Sequence, residues 1–492
     1  MCAPGIPPAP TDPMKIRVLE TSLVVNDLTT RIPFRYGITT LTRVPHLFAC
    51  VTVEIDGRVA HGVAADNLVP KWFTKNPATS FRDDLAEIIE VIRHACRLAQ
   101  EAGVQSSVFA LWDAIHTAQG MWGVGRGFPP LLWNFGVTIV ERAVIDAFCQ
   151  ATGVTFARAV REDAFGIDFG AIHPELAGAS VDFLPRAPLT SVIARHTVGL
   201  TDPLTIDEIP DAERVRDGLP QALEECVAAY GLTHFKIKLG GNVEHDRARL
   251  AALAKLLDRV APGCAFTLDG NENYRDVAPF RALWEEFQAD PVIARFLRGL
   301  IFVEQPLHRD VALSPATSEA LRGWRERPPI IIDESEGDLH AVELALDGGY
   351  AGTSHKNCKG VIRGLANACL IAQRRRLEPQ RALYLSGEDL TNLGPVALLQ
   401  DLAVAATLGI THVERNGHHY FAGLSQFPSS VQRATLEHHP DLYRPLDAGF
   451  PSVRVEQGSL STRSIVAAPF GSRVPIDPAE FTPLEEWRPE GL

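Results

Sequence analysis

The chain of 492 residues lacks any apolar run long enough to span a bilayer, so we expect no membrane partner. Its first eight residues, Met1–Pro8, have neither the basic region nor the apolar stretch of a secretory signal. We therefore expect residues 1–13 to form a disordered lead-in. Cysteine is sparse as well: eight residues are scattered without a Cys-x-x-Cys pair or zinc-finger spacing. This pattern favours a reduced, cytoplasmic compartment.

Positive charge is also in deficit. Lys and Arg total 47 against 60 Asp and Glu, which gives a formal net charge of −13. Binding of nucleic acid needs clustered Lys and Arg in excess, so nucleic acid is excluded as a partner. A small anionic substrate stays compatible with this charge, because a metal ion and a few lysines can make one pocket locally positive.

The sequence patterns predict two kinds of domain. Residues 14–190 combine β-branched alternation ending in the hairpin signal Asp56-Gly57 with a helix opened by the capping-box pair Ser80 and Asp83, which indicates an α+β domain. Residues 191–450 alternate short apolar runs with amphipathic helices, which predicts right-handed βαβ units and a parallel sheet. About eight strands can be counted there, the number of a (β/α) barrel. The turn-rich residues 451–492 are expected to return to the first domain.

Three acidic residues end successive apolar runs in the predicted barrel: Asp269, Glu304 and Asp333. Because the carboxyl ends of parallel strands meet on one face of a barrel, these side chains should converge there. Carboxylate oxygens are the ligands of hard divalent cations, and three of them leave positions open for substrate oxygens. We therefore predict a Mg²⁺ site, with Mn²⁺ as a substitute.

Lysines flank this acidic group. Lys236 and Lys238 lie two residues apart in one strand and so share a face, while Lys356 ends a later strand on the opposite side of the substrate. A lysine can act as a base when burial and neighbouring positive charge depress its pKa, a role we assign to Lys238 and Lys356 with Lys236 as the helping charge. Together with a cation, such bases suit removal of a proton next to a carboxylate.

Other polar residues are candidates for contact with substrate. Asn271 and Glu388 follow strand ends of the barrel, and Arg35 and Tyr36 lie in the first domain. The adjacent pair His418-His419 lacks the helical spacing of metal ligands, so we interpret it as structural.

The chain resembles the enolase superfamily, in the subgroup typified by muconate lactonizing enzymes. The resemblance rests on the following segments: Pro33-Phe34-Arg35, Lys236-Ile237-Lys238, Asp269-Gly270-Asn271, Glu304-Gln305-Pro306, Asp333-Glu334-Ser335, Lys356-Asn357-Cys358-Lys359-Gly360 and Pro469-Phe470-Gly471-Ser472-Arg473-Val474. It implies an α/β fold, a (β/α)7β TIM-type barrel with an α+β capping domain formed from the N-terminal part and the C-terminal tail. It also implies Mg²⁺-dependent abstraction of an α-proton from a small carboxylate substrate by way of a metal-stabilised enolate.

Two departures from the family pattern bear on the reaction. Gly360-Val361 stands where the family has Gly-Gly, and Ser386-Gly387-Glu388 ends the seventh strand without the histidine of the mandelate racemase subgroup. We therefore expect racemisation, epimerisation or cycloisomerisation, with acid-sugar dehydration as the alternative. A metal-free barrel hydrolase with paired carboxylates and a non-catalytic binding protein are the less favoured rivals. We also expect a homo-oligomer.

Overall fold

A computed structural model describes residues 14–36 and 38–489. The predicted disordered lead-in, residues 1–13, lies outside the described residues. The fold class is confirmed: a nearly closed barrel of eight parallel strands carries an N-terminal antiparallel capping sheet. Among the residues described, no helix combines the length and the apolar character that crossing a membrane requires.

The capping sheet is built from long antiparallel strands, β1 (Ile16–Tyr36), β2 (Thr39–Ile55) and β3 (Arg58–Asn67). The predicted hairpin turn joins β2 to β3, and both of its residues, Asp56 and Gly57, have left-handed φ angles of 48° and 79°. Two left-handed residues in a two-residue loop match the right-handed twist of the flanking strands, so this turn fixes the pairing of β2 with β3.

Three helices cover one face of this sheet: α1 (Phe81–Glu101), α2 (Val108–Arg126) and α3 (Pro130–Thr152). Two short helices follow, α4 (Phe156–Arg161) and α5 (Phe169–Ile172). The capping box predicted from Ser80 and Asp83 is present at the start of α1 and is confirmed. Helix α3 packs so closely on β3 that a Cβ atom added at Gly62 would lie 2.1 Å from the Ala143 carbonyl oxygen. This close approach makes α3 a buried layer between the capping sheet and the barrel.

One buried carboxyl on α3 should make stability depend on pH. Asp146 accepts the Val63 N–H at 2.9 Å, and burial raises the pKa of Asp146 to about 7. Since the ordinary value is near 3.9, this group stabilises the fold fully at acid pH and loses that contribution as the pH rises toward about 7, by about 1.4 kcal/mol per pKa unit. Asp146→Asn should flatten the fall in the free energy of unfolding between about pH 4 and about pH 7, as measured by urea titration.

The exposed Asp113 on α2 provides the matched control for this prediction, because Asp113→Asn should leave the pH dependence of the parent protein unchanged. An Asp146→Asn protein with the same pH dependence as the parent would show that the Asp146 carboxyl does not titrate as proposed.

The barrel strands run in chain order around the ring: β4 (Ser191–Val198), β5 (His234–Lys238), β6 (Ala265–Asp269), β7 (Leu300–Glu304), β8 (Ile330–Ile331), β9 (Gly352–His355), β10 (Tyr384–Gly387) and β11 (His412–Arg415). A parallel bridge between Ile332 and Thr353 joins β8 to β9. In this order β5 and β9 are four strands apart and therefore face each other across the barrel.

The helices of this region follow the strands: α6 (Leu223–Tyr230), α7 (Val243–Val260), α8 (Val277–Ala289), α9 (Pro291–Phe296), α10 (Arg309–Ala312), α11 (Pro315–Gly323), α12 (Ala341–Gly348), α13 (Val361–Leu377), α14 (Ala397–Leu408), α15 (Gly417–Tyr420), α16 (Ser429–His438) and α17 (Arg463–Val466). Each long helix turns an apolar face to the strands; α7, for example, buries Leu250, Leu253 and Leu257.

Four short strands lie in the last part of the chain: β12 (Tyr443–Pro445), β13 (Pro451–Val453), β14 (Ser459–Ser461) and β15 (Thr482–Pro483). Strand β14 pairs with β4 of the barrel, whereas β15 pairs with β1 of the capping sheet. The Trp487 indole N–H also donates to Asp27 at 3.0 Å. The tail thus contacts both the barrel and the cap.

Candidate active site

The carboxyl ends of the barrel strands bring the predicted residues together. Asp269 and Glu304 are paired neighbours at the ends of β6 and β7. Asp333 comes two residues after β8, and Lys356 follows directly after β9. All four side chains are buried, as are Lys236 and Lys238 on β5. Strand order alone therefore assembles the predicted group of three carboxylates and three lysines.

The Lys236 ammonium lies at the centre of the acidic group. Its Nζ is 2.8 Å from Glu304 Oε1, 2.9 Å from both Glu388 Oε2 and Glu414 Oε2, and 3.0 Å from Asp269 Oδ2. Burial alone would lower the pKa of Lys236, but the surrounding carboxylates outweigh burial and hold that pKa well above its ordinary value. Lys236 is therefore a fixed positive charge rather than a base.

Loss of this charge should be costly to stability. Lys236→Met keeps much of the side-chain volume but leaves several buried carboxylates without their common cation, so we expect a loss of about 3–5 kcal/mol in the free energy of unfolding. Urea titration with a chelator present measures it. Lys255→Met, at an exposed lysine on α7, is the control and should change stability little. Equal stabilities of the two variants would contradict a central role for Lys236.

The two proposed bases each contact a carboxylate of the group, on opposite walls of the barrel mouth. Lys238 Nζ donates to Asp269 Oδ2 at 2.6 Å. Lys356 Nζ donates to Asp333 Oδ2 at 2.8 Å and also binds the Glu388 carboxylate. Both lysines line one cavity, and β5 and β9 lie four strands apart around the ring, so a substrate between them would meet one lysine on each face.

The charge states of Lys238 and Lys356 differ from the sequence-based expectation that their pKa values are depressed. Burial lowers the pKa of Lys356, but the Asp333 and Glu388 carboxylates hold it well above the ordinary lysine value. Burial lowers the pKa of Lys238 and so does the charge of Lys236, but the Asp269 carboxylate raises it, and the net pKa lies above the ordinary lysine value. Ion pairing at 2.6 Å thus outweighs desolvation. Action as a base requires that part of the Asp269 charge be taken up by another cation.

The carboxylates present a donor set suited to a divalent cation. Oxygens of Glu304, Asp333 and Glu388 all lie within 4.8 Å of one another. Glu304 Oε2 is buried and has no hydrogen-bond partner among the described residues, and burial together with the charge of Glu388 raises the pKa of Glu304 well above its ordinary value. An all-oxygen set with an unpaired carboxylate oxygen fits Mg²⁺, so this buried triad is consistent with a magnesium site.

This triad differs in one member from the predicted ligands. Asp269 Oδ2 is engaged by Lys236 and Lys238, and its Oδ1 accepts the Asn271 N–H at 2.9 Å. Glu388, which we expected to contact substrate, is instead buried and held by Arg195 Nη2 at 3.0 Å as well as by the lysines. Its place after β10 indicated the barrel mouth, but burial assigns it to the charge network rather than to the cavity wall.

The other candidates for substrate contact divide into two kinds. Asn271 and Tyr36 line the cavity, and the Tyr36 hydroxyl donates to the Pro70 carbonyl oxygen at 3.1 Å. Arg35 has an exposed side chain, because alternation along β1 turns it away from the face that carries its neighbour Phe34, which does line the cavity. The structure therefore does not bring Arg35 to the site.

Several cavity residues were missed from the sequence because they come from the loop after β3. Trp72 lies with its ring centroid 5.4 Å from Lys356 Nζ, a distance compatible with a cation–π contact. Lys75 binds the Asn271 carbonyl oxygen and has its Nζ 3.5 Å from Glu272 Oε2. No spacing in the sequence joins this loop to the barrel, so its approach to the mouth was not predictable. Glu414, on β11, also lines the cavity and was not among the residues predicted from the sequence.

Comparisons with known proteins agree with this architecture. Residues 219–431 match the family model described as "Enolase C-terminal domain-like". A search of curated protein sequences finds no match to the chain. The matched segment contains strands β5 to β11 and hence every barrel lysine and carboxylate discussed above.

Solved structures of low sequence identity share the fold over most of the chain. A muconate lactonizing enzyme from Pseudomonas fluorescens, complexed with muconolactone, is 15% identical with a TM-score of 0.54, covering 94% of this chain and 98% of that one. An N-succinyl Arg/Lys racemase from Bacillus cereus is 14% identical with a TM-score of 0.53, covering 92% and 97%. An enolase from Bradyrhizobium, complexed with magnesium and mandelic acid, is 14% identical with a TM-score of 0.52, covering 91% and 93%. Residues 219–431 thus form a C-terminal domain of the mandelate racemase/muconate lactonizing enzyme type, which places this part of the chain in the enolase superfamily.

Proposed function

We propose that this protein removes the α-proton of a small carboxylate substrate with the help of a divalent cation, Mg²⁺ or its substitute Mn²⁺. The observation that carries the proposal is the placement of Lys238 and Lys356 on opposite walls of one cavity, each beside a carboxylate of the candidate cation site. A cavity that offers a base to each face of a substrate is suited to moving a proton.

Asp269, Glu304 and Asp333 would hold the cation, with Glu388 next to them. When bound, the cation would stabilise the negative charge that develops on the substrate carboxylate during proton removal. The fit rests on the chemistry of the donors, which are all carboxylate oxygens, and on the unpartnered Glu304 Oε2. Engagement of Asp269 as a ligand would also withdraw its charge from Lys238, after which burial would favour the neutral amine of that lysine.

The residues around the cavity set the conditions for proton transfer. Phe34, Tyr36 and Trp72 supply an aromatic cover over the barrel mouth and reduce the access of water. Lower water content strengthens the electrostatic effect of Lys236, which keeps the acidic group from accumulating excess negative charge. The cover comes from the capping domain, so substrate choice would depend on that domain.

Racemisation, epimerisation or cycloisomerisation fits this arrangement better than elimination does. The end of β10 provides Glu388, whose side chain is ion-paired to Arg195 and Lys236, and no histidine acid. A lysine on each face, by contrast, can take a proton from one side and return it on the other. The expected homo-oligomer stays a prediction.

Hydrogen exchange tests this proposal. The probe acids are chosen from compounds named with the fold relatives: N-succinyl amino acids, mandelate and muconolactone. Incubation in D₂O with Mg²⁺ should remove the α-proton NMR signal of at least one probe acid. Chelation should abolish the exchange, whereas a metal-free hydrolase with paired carboxylates would show neither exchange nor metal dependence. No exchange with any probe acid would count against the proposal.

A further inference from the structure

A second group of metal-binding side chains lies outside the lysine and carboxylate cavity. Donor atoms of His196, Cys226 and His419 all lie within 4.8 Å of one another, and the three residues are almost fully buried. His196 belongs to β4, Cys226 to α6 and His419 to α15. Three segments that are distant in the chain therefore converge on one point.

The direction of the β4 side chains separates this group from the cavity. Arg195 and Thr197 point into the barrel, where they bind Glu388 and Glu414. Because side chains alternate along a strand, His196 between them points outward, toward the surrounding helices. The group therefore lies between the barrel wall and the helix layer.

The chemistry of the donors matches a borderline-soft metal ion. Cys226 Sγ and His419 Nδ1 are 3.5 Å apart. A sulfur ligand and a nitrogen ligand on tetrahedral zinc are separated by about 3.6 Å, which is nearly the same distance. His196 and His419 are almost fully buried, and a neutral imidazole keeps a lone pair for coordination. Thiolate and imidazole together favour Zn²⁺ over Mg²⁺.

A fourth residue, His418, supports this group. His418 Nε2 lies 3.2 Å from His196 Nδ1, within hydrogen-bonding distance. Such a contact fixes the orientation of a ligand ring and leaves its other nitrogen available for a metal. The pair His418-His419, interpreted from spacing alone as structural, would then act in two ways: His419 as a ligand and His418 as the support of His196.

We propose that His196, Cys226 and His419 form a binding site for a zinc-class divalent cation, with His418 orienting His196. Binding would join β4, α6 and α15 at one point. Arg31 of β1 already binds the same region, through the His419 carbonyl oxygen at 3.1 Å and through Asp217 Oδ2 at 2.6 Å. The site would therefore stabilise the junction of cap and barrel, independently of the proposed reaction.

Cobalt provides a direct test on the full-length protein. Metal-stripped protein, with Mg²⁺ in excess, is titrated with Co²⁺ and monitored for the near-ultraviolet charge-transfer band of a cobalt–thiolate bond. We expect one such site per chain, displaced by Zn²⁺ and accompanied by a higher melting temperature. Cys226→Ser should remove the band, and Cys96→Ser, at a buried cysteine of α1, should retain it.

The cobalt spectrum tests the proposed site without any measurement of enzyme activity. Absence of a thiolate band in the unaltered protein would overturn the proposal, and this measurement requires no variant to fold. Persistence of the band in Cys226→Ser, or in His419→Gln as a second variant, would also overturn it. Cobalt bound at the carboxylate site gives no thiolate band, so failure of the proposed function and failure of this site are distinguishable.

Discussion

Replacement of Lys238 by alanine is expected to lower turnover about 10²–10⁴-fold, the range that a positioned general base or acid contributes. Lys238 Nζ lies 2.6 Å from Asp269 Oδ2 and lines the cavity, so its removal deletes the proton acceptor on one face of the substrate. Lys356→Ala should have a similar effect from the other face. Steady-state kinetics with the probe acid that exchanges fastest measures both losses.

Lys238→Ala and Lys356→Ala should differ in which enantiomer of the substrate still exchanges its α-proton. If each lysine serves one face, Lys238→Ala retains α-proton exchange with one enantiomer and Lys356→Ala with the other, although neither completes racemisation. Lys255→Ala, at an exposed lysine of α7, is the control and should match the parent protein. Full turnover in either Lys238→Ala or Lys356→Ala would contradict the assignment of that lysine.

Glu304→Gln is expected to weaken binding of Mn²⁺ or Mg²⁺ at least about 100-fold, since even the supporting partners of metal ligands contribute about 10–100-fold to affinity. Glu304 is buried between its strand neighbour Asp269 and the Lys236 ammonium, and its Oε2 has no partner in the described chain. An amide of the same size keeps the packing but supplies a neutral ligand. Because less metal is then bound, catalytic turnover should fall to background.

Titration with Mn²⁺, followed by electron paramagnetic resonance, measures this affinity directly. Glu304→Gln should not destabilise the metal-free fold, because burial and the charge of Glu388 raise the pKa of Glu304 and make its ionised form costly. Glu285→Gln, at an exposed glutamate on α8, is the control. Unchanged Mn²⁺ binding in Glu304→Gln would mean that the cation site lies elsewhere.

The placement of the barrel lysines and carboxylates was largely predictable because it follows from strand geometry. Lys236 and Lys238 share a face through the two-residue period of a strand, and Asp269 and Glu304 meet because parallel strands end on one side of a barrel. These relations are local in sequence or are set by strand order. They required no knowledge of how the loops fold.

The remaining features depend on tertiary contacts that no spacing encodes. Trp72 reaches Lys356 from the capping domain, and Glu388 is drawn into the charge network by Arg195, a residue of the first barrel strand. The pKa of Lys238 is decided by its distance from Asp269, which only the folded geometry supplies. The cluster of His196, Cys226 and His419 is likewise encoded by no spacing, since its members come from separate elements.

Loss of the α-proton signal of a probe acid in D₂O, compared among three samples, tests the central claim most directly. We expect exchange with the parent protein and Mg²⁺, none after chelation, and none with the Lys238→Ala/Lys356→Ala double variant. Exchange that continues at the parent rate after chelation or in the double variant would contradict metal-assisted proton abstraction by these lysines.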